Sequence, residues 1–401
     1  MTKISLGKLF ELKYGKSLRK DNRIPGEVPV YGSNGQVDCH NASLINKPTI
    51  IIGRKGSIGE VHLVQTSCWP IDTTYFVESL DKYDYEIGWL YRLLKTLRLQ
   101  GLNRSAAIPG LNRDDVYRIE VILPPLDDQK RIAHLLSKVE GLIARRKQHL
   151  QQLDDLLKSV FLEMFGDPVR NEKGWGEREL GKTIKIKHGF AFKSEFFSDD
   201  GPFVLLTPGN FFEEGGFRNR GDRQKYYVGE TPQEYILDKG DLLLAMTEQA
   251  PGLLGSPLIV PKANLYLHNQ RLGLVIAKEP IQTKFLFHLF NQNTIRQIIH
   301  SKATGTKVRH TSPTKLESII VGYPPIDLQN RFAFIVEKVE GIKYRYQQSL
   351  TDLETLYGAL SQKAFKGELD LSRVPLPVVT TTEEINRQRH EKQQKIAGAA
   401  L

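Results

Sequence analysis

Residues 121–133 read Val-Ile-Leu-Pro-Pro-Leu-Asp-Asp-Gln-Lys-Arg-Ile-Ala, and residues 321–333 read Val-Gly-Tyr-Pro-Pro-Ile-Asp-Leu-Gln-Asn-Arg-Phe-Ala. The similarity continues without a gap, so that 121–165 and 321–365 are identical at 17 of 45 positions. Similarity at a fixed offset indicates that one structural unit occurs twice in a chain. The sequence therefore predicts a tandem duplication with an offset of 200 residues.

The beginnings of the two halves also correspond. Leu6-Gly7-Lys8 matches Leu180-Gly181-Lys182, and Gly15 matches Gly189. This offset is 174 residues, so the second half has 200 − 174 = 26 additional residues between the two landmarks. Each half therefore consists of a variable block followed by a more constant block.

The constant blocks have the apolar pattern of long helices. Alternating spacings of four and three residues, interrupted in the first block at Arg146, indicate a coiled-coil seam rather than a broad apolar face. The Pro-Pro pairs precede both helices, Asp127 is a predicted N-cap, and Gly166-Asp167-Pro168 ends the first helix. The predicted seam residues are Ile132, Leu136, Val139, Ile143, Leu150, Leu153 and Leu157 in the first helix, and Phe332, Val336, Val339, Leu350 and Leu353 in the second.

A long helix with a narrow apolar stripe requires a partner. The repeated helix of the same chain is the nearest candidate, and because each helix follows its own block, antiparallel packing is expected. This arrangement predicts a pseudo-two-fold tandem repeat joined by a coiled coil. Two unrelated surface helices are the alternative.

The variable blocks have the pattern of mixed α/β (α+β) domains. Strand-like runs begin at Thr49, Glu60 and Tyr75 in the first block and at Phe203, Asp241 and Leu272 in the second, and helices are predicted over 87–99 and 283–300. The predicted domains are 1–122 and 168–322 for the variable blocks, 123–167 and 323–368 for the helices, and 369–401 for a polar, disordered tail.

Composition limits the class of protein. The chain has 401 residues, 40% hydrophobic residues, a net charge of +10 and two cysteines, Cys39 and Cys68. Two cysteines cannot form a disulfide framework, and no apolar run reaches membrane-spanning length. We expect a cytoplasmic protein that does not contact a membrane, and the modest positive charge is compatible with a polyanionic partner.

Catalytic and nucleotide-binding motifs are not found in the sequence. Gly15-Lys16-Ser17 lacks the first glycine of a P-loop, and the glycines of 53–59 lack dinucleotide-binding spacing. Neither Pro-Pro pair follows an asparagine, as it would in an adenine N6 methyltransferase, and the histidines lack metal-ligand spacing. We therefore expect no catalytic residue and no metal site.

Polar and basic loops occur at corresponding places in both halves. Such side chains can bond phosphates, and Arg, Asn and Gln can read base edges in the major groove. The candidate DNA-contacting residues are Arg54, Lys55, Ser57, Thr73, Thr74, Asn103, Arg104, Ser105, Asn112 and Arg113 in the first block, and Thr247, Gln249, Asn269, Gln270, Arg271, Lys302, Thr304, Thr306, Lys307 and Arg309 in the second.

Taken together, these motifs resemble the specificity (S) subunits of type I restriction–modification systems. The resemblance depends on the Leu-Gly-Lys starts, the Gly-Arg-Lys-Gly-Ser-Ile-Gly turn at 53–59, the stretch 108–116 and the repeated Pro-Pro helices. It implies two recognition domains, each reading half of a split, asymmetric site in double-stranded DNA. The second block departs from the pattern at 309–313, where Arg-His-Thr-Ser-Pro stands.

The resemblance also implies the partners. Two methyltransferase (M) subunits would bring S-adenosylmethionine, and restriction (R) subunits would bring ATP and Mg, so this chain would bind no cofactor and would not be an enzyme. Two alternatives remain: an enzyme with an unrecognised active site, and a coiled-coil scaffold without DNA specificity.

Overall fold

A computed structural model of the chain describes residues 2–102, 110–249 and 251–377. Contacts divide the chain into two units. The first comprises the described residues of Met1–Lys147 and Gln348–Leu401, and the second comprises those of Gln148–Gln347. None of the helices in the described ranges has the length and apolarity that a membrane crossing requires.

The first half begins with nine strands and two helices, and it ends in a long helix. The strands are β1 Thr2–Ser5, β2 Phe10–Tyr14, β3 Val28–Gly32, β4 Gly35–His40, β5 Thr49–Gly53, β6 Val61–Val64, β7 Trp69–Pro70, β8 Thr74–Ser79 and β9 Glu120–Leu123, and the helices are α1 Ile87–Thr96, α2 Arg113–Tyr117 and α3 Leu126–Phe165.

The second half has thirteen shorter strands and five helices within its described residues. The strands are β10 Glu177–Glu179, β11 Ile184–His188, β12 Phe197–Ser198, β13 Phe203–Leu205, β14 Tyr226–Tyr227, β15 Ile236–Leu237, β16 Leu242–Ala245, β17 Thr247–Glu248, β18 Pro257–Ile259, β19 Tyr266–Leu267, β20 Leu272–Ala277, β21 Arg309–His310 and β22 Ile320–Gly322, and the helices are α4 Leu180–Thr183, α5 Thr283–Phe290, α6 Asn293–Ser301, α7 Pro313–Glu317 and α8 Ile326–Phe365.

The two halves share a core topology, although the second half has additional strands. A four-stranded antiparallel sheet has the order β2-β8-β5-β6 in the first half and β11-β20-β16-β18 in the second. A neighbouring sheet contains a parallel pair, β3 with β7 and β13 with β19. The first strand of each half pairs with the strand before the Pro-Pro motif, β1 with β9 and β10 with β22. The duplication detected in the sequence is therefore also a duplication of the fold.

Apolar side chains explain the position of the core in each unit. In the first unit β5 is buried at every residue, and it packs with the apolar face of α1. In the second unit Phe161 and Phe165 of α3 pack against Phe285 of α5 and Phe332 of α8, with ring centroids 5.0–5.7 Å apart. Aromatic side chains bury large areas, so each long helix is an integral part of a domain core.

The two 40-residue helices pack antiparallel within each unit. In the first unit, Tyr357 donates to Glu140 at 2.6 Å and Lys147 lies 2.9 Å from Glu354. In the second unit, Asp154 pairs with Lys343 and Phe161 packs against Phe332. Residue numbers rise along α3 as they fall along α8, which defines antiparallel packing. All twelve predicted seam residues are buried or partly buried.

A buried glutamine connects the start of each long helix to its domain. Gln129 accepts a hydrogen bond from the backbone N–H of Glu86 at 2.8 Å and donates to the carbonyl of Pro124 at 2.9 Å. Gln329 accepts from the N–H of Gln282 at 3.1 Å and donates to the carbonyl of Pro324 at 2.9 Å. Both side chains are at most 1% exposed, so these backbone groups have little access to water as an alternative partner.

The structure corrects three expectations. Asp127 is not the N-cap of α3, because the helix already begins at Leu126. The helix predicted over 283–300 is two helices, interrupted at Asn291 and Gln292, where the Asn291 amide donates to the Glu214 carbonyl.

The described part of the predicted tail, 369–377, is packed rather than disordered: Leu369 and Leu371 contact the first core, and Arg131 donates to the Val374 carbonyl at 3.0 Å. Residues 378–401 lie outside the described ranges.

We predict that Gln129→Leu lowers the free energy of unfolding by about 1–3 kcal/mol, because it leaves the Glu86 N–H and the Pro124 carbonyl without their partner. Gln152→Leu on the exposed face of the same helix is the matched control and should change stability by less than about 0.5 kcal/mol. Urea unfolding measures both, and equal effects of the two variants would contradict the role of Gln129.

Candidate DNA interface

Three segments of the first half meet at one edge of the domain. The backbone N–H groups of Arg54 and Lys55 donate to the carbonyl of Thr73 at 2.9 and 3.1 Å, and the N–H of Leu111 donates to the carbonyl of Arg54 at 2.9 Å. The turn after β5, the segment before β8 and the loop before α2 are therefore held side by side. Candidate DNA-contacting residues predicted from the sequence lie in these segments.

The second half uses the same backbone framework. The N–H of Met246 donates to the carbonyl of Arg271 at 2.9 Å, and the N–H of Thr311 donates to the carbonyl of Met246 at 3.0 Å. The loop before α7 is also held by β21, in which His310 pairs with Thr247. Corresponding segments of the two halves are thus arranged alike by hydrogen bonds that do not depend on side chains.

Glycines permit the tight turn after β5. A side chain on Gly53 would place its Cβ only 2.0 Å from the carbonyl oxygen of Ser57, and Gly59 has a φ of +72°. The backbone folds back closely enough for the N–H of Gly59 to donate to the carbonyl of Gly53 at 2.8 Å. The glycine-rich sequence therefore serves a compact turn that carries Arg54 and Lys55, which fits the absence of dinucleotide-binding spacing.

Two arginines and two tyrosines form an aromatic–guanidinium cluster on the first half. The guanidinium carbon of Arg54 lies 5.2 Å from the ring centroid of Tyr14 and 5.9 Å from that of Tyr75, and Arg113 lies 5.5 Å from Tyr14. The two tyrosine rings are 5.1 Å apart. Burial raises the pKa of Tyr75 to about 12, so its hydroxyl stays protonated and donates to the Leu111 carbonyl at 3.1 Å.

The remaining candidates of the first half differ in exposure. Lys55 is exposed, whereas Ser57 and Thr73 are partly buried, and Asn112 uses its side-chain oxygen to cap α2 at the N–H of Asp114. Thr74 is fully buried and its hydroxyl donates to the Ile71 carbonyl at 2.7 Å, which corrects its selection as a contact residue. Asn103, Arg104 and Ser105 lie outside the described residues.

The second half has a basic cavity at the corresponding place. Its volume is about 670 Å³, and the predicted residues Thr247, Gln249 and Arg271 lie in its wall. Arg220 and Lys225 line the same cavity but were not predicted. Both belong to the stretch that makes the second half longer, so comparison of the two halves could not identify them.

Asn269 and Gln270 are near a second, adjoining cavity of about 300 Å³, which Arg271 and Lys225 also line. Gln270 is exposed, whereas Asn269 is 8% exposed and accepts a hydrogen bond from the N–H of Arg271 at 3.1 Å. Asn269 therefore shapes the turn that presents Arg271.

The loop before α7 carries the last five candidates. Lys302 donates to the Ser318 hydroxyl at 3.2 Å, and Arg309 lies 3.4 Å from His300. All five are exposed, namely Lys302, Thr304, Thr306, Lys307 and Arg309.

Glu248 organises the loop between β17 and β18. This residue is 3% exposed, and one of its carboxylate oxygens accepts hydrogen bonds from the N–H groups of Gly252, Leu253 and Leu254 at 2.9–3.1 Å. The other oxygen lies 3.3 Å from His300. These three bonds hold the loop that follows Gln249, so Glu248 has a structural role in the second half.

Side chains at corresponding positions differ between the halves. The strand registers and the shared backbone hydrogen bonds identify these positions independently of residue type. The corresponding pairs are Tyr14 and His188, Arg54 and Met246, Tyr75 and Gly273, and Arg113 and Pro313. The backbone framework is therefore duplicated, whereas the side chains at these four positions are not.

Residues 1–154 and 172–352 match the family model described as the type I restriction modification DNA specificity domain. The chain belongs to this family. Recognition of DNA sequence within a type I restriction–modification system is accordingly its function.

Relatives and solved structures agree with the family assignment. The specificity subunit of the MjaVIII type I restriction enzyme of Methanocaldococcus jannaschii is 23% identical over 318 residues, 74% of this chain and 70% of the relative. A putative specificity subunit of Haemophilus influenzae is 22% identical and covers 88% of this chain and 89% of the relative.

The fold is also found among solved structures. The S subunit of a type I system from M. genitalium has a TM-score of 0.58 and 19% identity, covering 91% of this chain and 96% of that one. A structure from work on complex assembly and conformational transition of the type I system has a TM-score of 0.55 and 15% identity, covering 92% of this chain and 98% of that one.

We predict that Lys225→Ala reduces the salt dependence of DNA binding. Loss of one phosphate contact should lower the slope of log affinity against log salt by about 0.9. Lys262→Ala, an exposed lysine outside both cavities, is the matched control and should leave the slope unchanged. Titration of a DNA duplex with the assembled complex at several salt concentrations provides the slopes, and a wild-type slope for Lys225→Ala would exclude this phosphate contact.

Proposed function

We propose that each half of this chain reads one half of an asymmetric, bipartite site in double-stranded DNA. The supporting observation is that one backbone framework displays different side chains in the two halves, as Arg113 and Pro313 illustrate. A shared framework favours the same mode of approach to a duplex, and different readout side chains favour different bases.

We further propose that α3 and α8 form one antiparallel coiled coil that sets the unread spacer between the half-sites. Each helix has 40 residues and is therefore about 60 Å long. The antiparallel contacts and the buried seam within each unit support this proposal. The predicted boundaries follow from it: recognition domains at 1–122 and 168–322, and helices at 123–167 and 323–368.

Methylation and cleavage would then belong to partner subunits. We propose that two M subunits with S-adenosylmethionine bind the outward faces of α3 and α8, and that R subunits use ATP and Mg, while this chain holds no cofactor. Several large apolar side chains on these faces are exposed and support a protein interface. They are Leu142, Leu156, Phe334, Tyr344 and Leu356.

Single-molecule sequencing of modified bases in cells that contain this chain and its M partner tests the proposal. We expect methylation at a motif with two different specified halves separated by unspecified bases. A cell with the M partner alone should lack this methylation. A continuous motif, or two identical halves, would contradict the asymmetric bipartite site.

The spacer is tested in the same assay with a shortened coiled coil. Removal of one heptad from 136–157 together with the facing heptad of α8 should shorten the spacer and leave both half-sites unchanged, because the recognition loops lie outside the helices. An unchanged spacer in a methylating complex would contradict the role of the helices as the determinant of spacing.

A further inference from the structure

Tyr14 occupies a special position in the aromatic–guanidinium cluster. It is the last residue of β2 and is 52% exposed, although its ring contacts Tyr75, Arg54 and Arg113. A half-exposed aromatic ring adjacent to two guanidinium groups provides a platform on which both cations are held at the surface. The contact is electrostatic and is strengthened when water is displaced from it.

The two guanidinium groups are held differently. Arg54 donates from Nη2 and Nε to the carbonyl of Asp72, at 2.6 and 3.2 Å, so part of its hydrogen-bonding capacity is used within the domain. Arg113 contacts the Tyr14 ring through its guanidinium group. A guanidinium held over an aromatic ring retains N–H groups in its plane, and these can bond the O6 and N7 atoms of guanine.

The backbone of Arg113 is fixed before any DNA binds. Leu111 donates to the Arg54 carbonyl and accepts from the buried Tyr75 hydroxyl, and Asn112 caps the helix at its first turn. Arg113 is the first residue of α2, directly after this fixed segment. The side-chain direction of Arg113 is therefore what its surroundings must set, and within the described residues the Tyr14 ring contacts its guanidinium group.

We propose that Tyr14 is a specificity-determining residue that orients Arg113 to read a guanine in the first half-site. This inference rests on the proposed function of the first domain as a reader of one half-site. The second half has His188 and Pro313 at the corresponding positions, so the effect of Tyr14 is confined to one half of the motif.

The variants Tyr14→Leu and Tyr14→Phe test this inference in the assembled methyltransferase complex. Binding is measured to duplexes with the wild-type motif and with each specified base pair changed in turn. Tyr14→Leu should reduce discrimination at one base pair of one half-site by about 5–30-fold. Tyr14→Phe keeps the ring and should retain discrimination within about twofold. His188→Leu is the matched control in the second domain. It should leave discrimination at the first half-site unchanged.

A double-variant cycle distinguishes positioning from a general loss of structure. If Tyr14 acts through Arg113, Tyr14→Leu should change discrimination by less than about twofold when Arg113→Ala is already present. Independent, multiplicative effects would overturn the inference. Equal weakening on all duplexes would also overturn it, because that pattern belongs to a phosphate contact or to unfolding.

Failure of the proposed function would have a different result. In that case the wild-type complex itself would discriminate at a continuous motif, at two identical halves, or at no base pair. A discriminating wild type with no change in Tyr14→Leu overturns the role of Tyr14 alone.

Discussion

The structure depends on a buried hydrogen-bonding arrangement that occurs once in each half. Gln129 and Gln329 each join the backbone before a long helix to the backbone at the start of a domain helix. A buried amide is costly unless its groups are paired, so the two bonds favour one orientation of helix and domain over many similar ones. The proposed reading of two half-sites would require such fixed orientations, because an error at the helix start would displace the recognition loops of that domain.

The backbone framework around this connection is the same in both halves, whereas the side chains that it displays differ. Main-chain bonds hold three segments together in each half, and they do not restrict the side chains that those segments display. One domain displays tyrosines with arginines, and the other has a basic cavity with Arg220, Lys225 and Arg271. Under the proposed function, this duplicated framework with independent surfaces would allow one chain to specify two different half-sites.

The sequence predicted the duplication, the long helices and six of the more apolar strands because these depend on local periodicity and on the repeat. It did not predict the cluster of Tyr14 with Arg54 and Arg113, since these residues are distant in the chain and are brought together by the pairing of β2, β8 and β5 and by the backbone bond between Leu111 and Arg54. Arg220 and Lys225 lie in the longer second half, where no repeat guides the comparison. Thr74 was selected as a contact residue, but it begins β8, a strand that lies between β2 and β5 and is buried at both Thr74 and Tyr75.

The central claim is that the two halves read DNA independently, and modified-base sequencing of two single variants tests it most directly. Arg54→Ala should relax only one half of the methylated motif, and Arg271→Ala should relax only the other, with the spacer unchanged in both. If either variant altered both halves, or if both variants altered the same half, the two domains would not be independent readers and the account would be wrong.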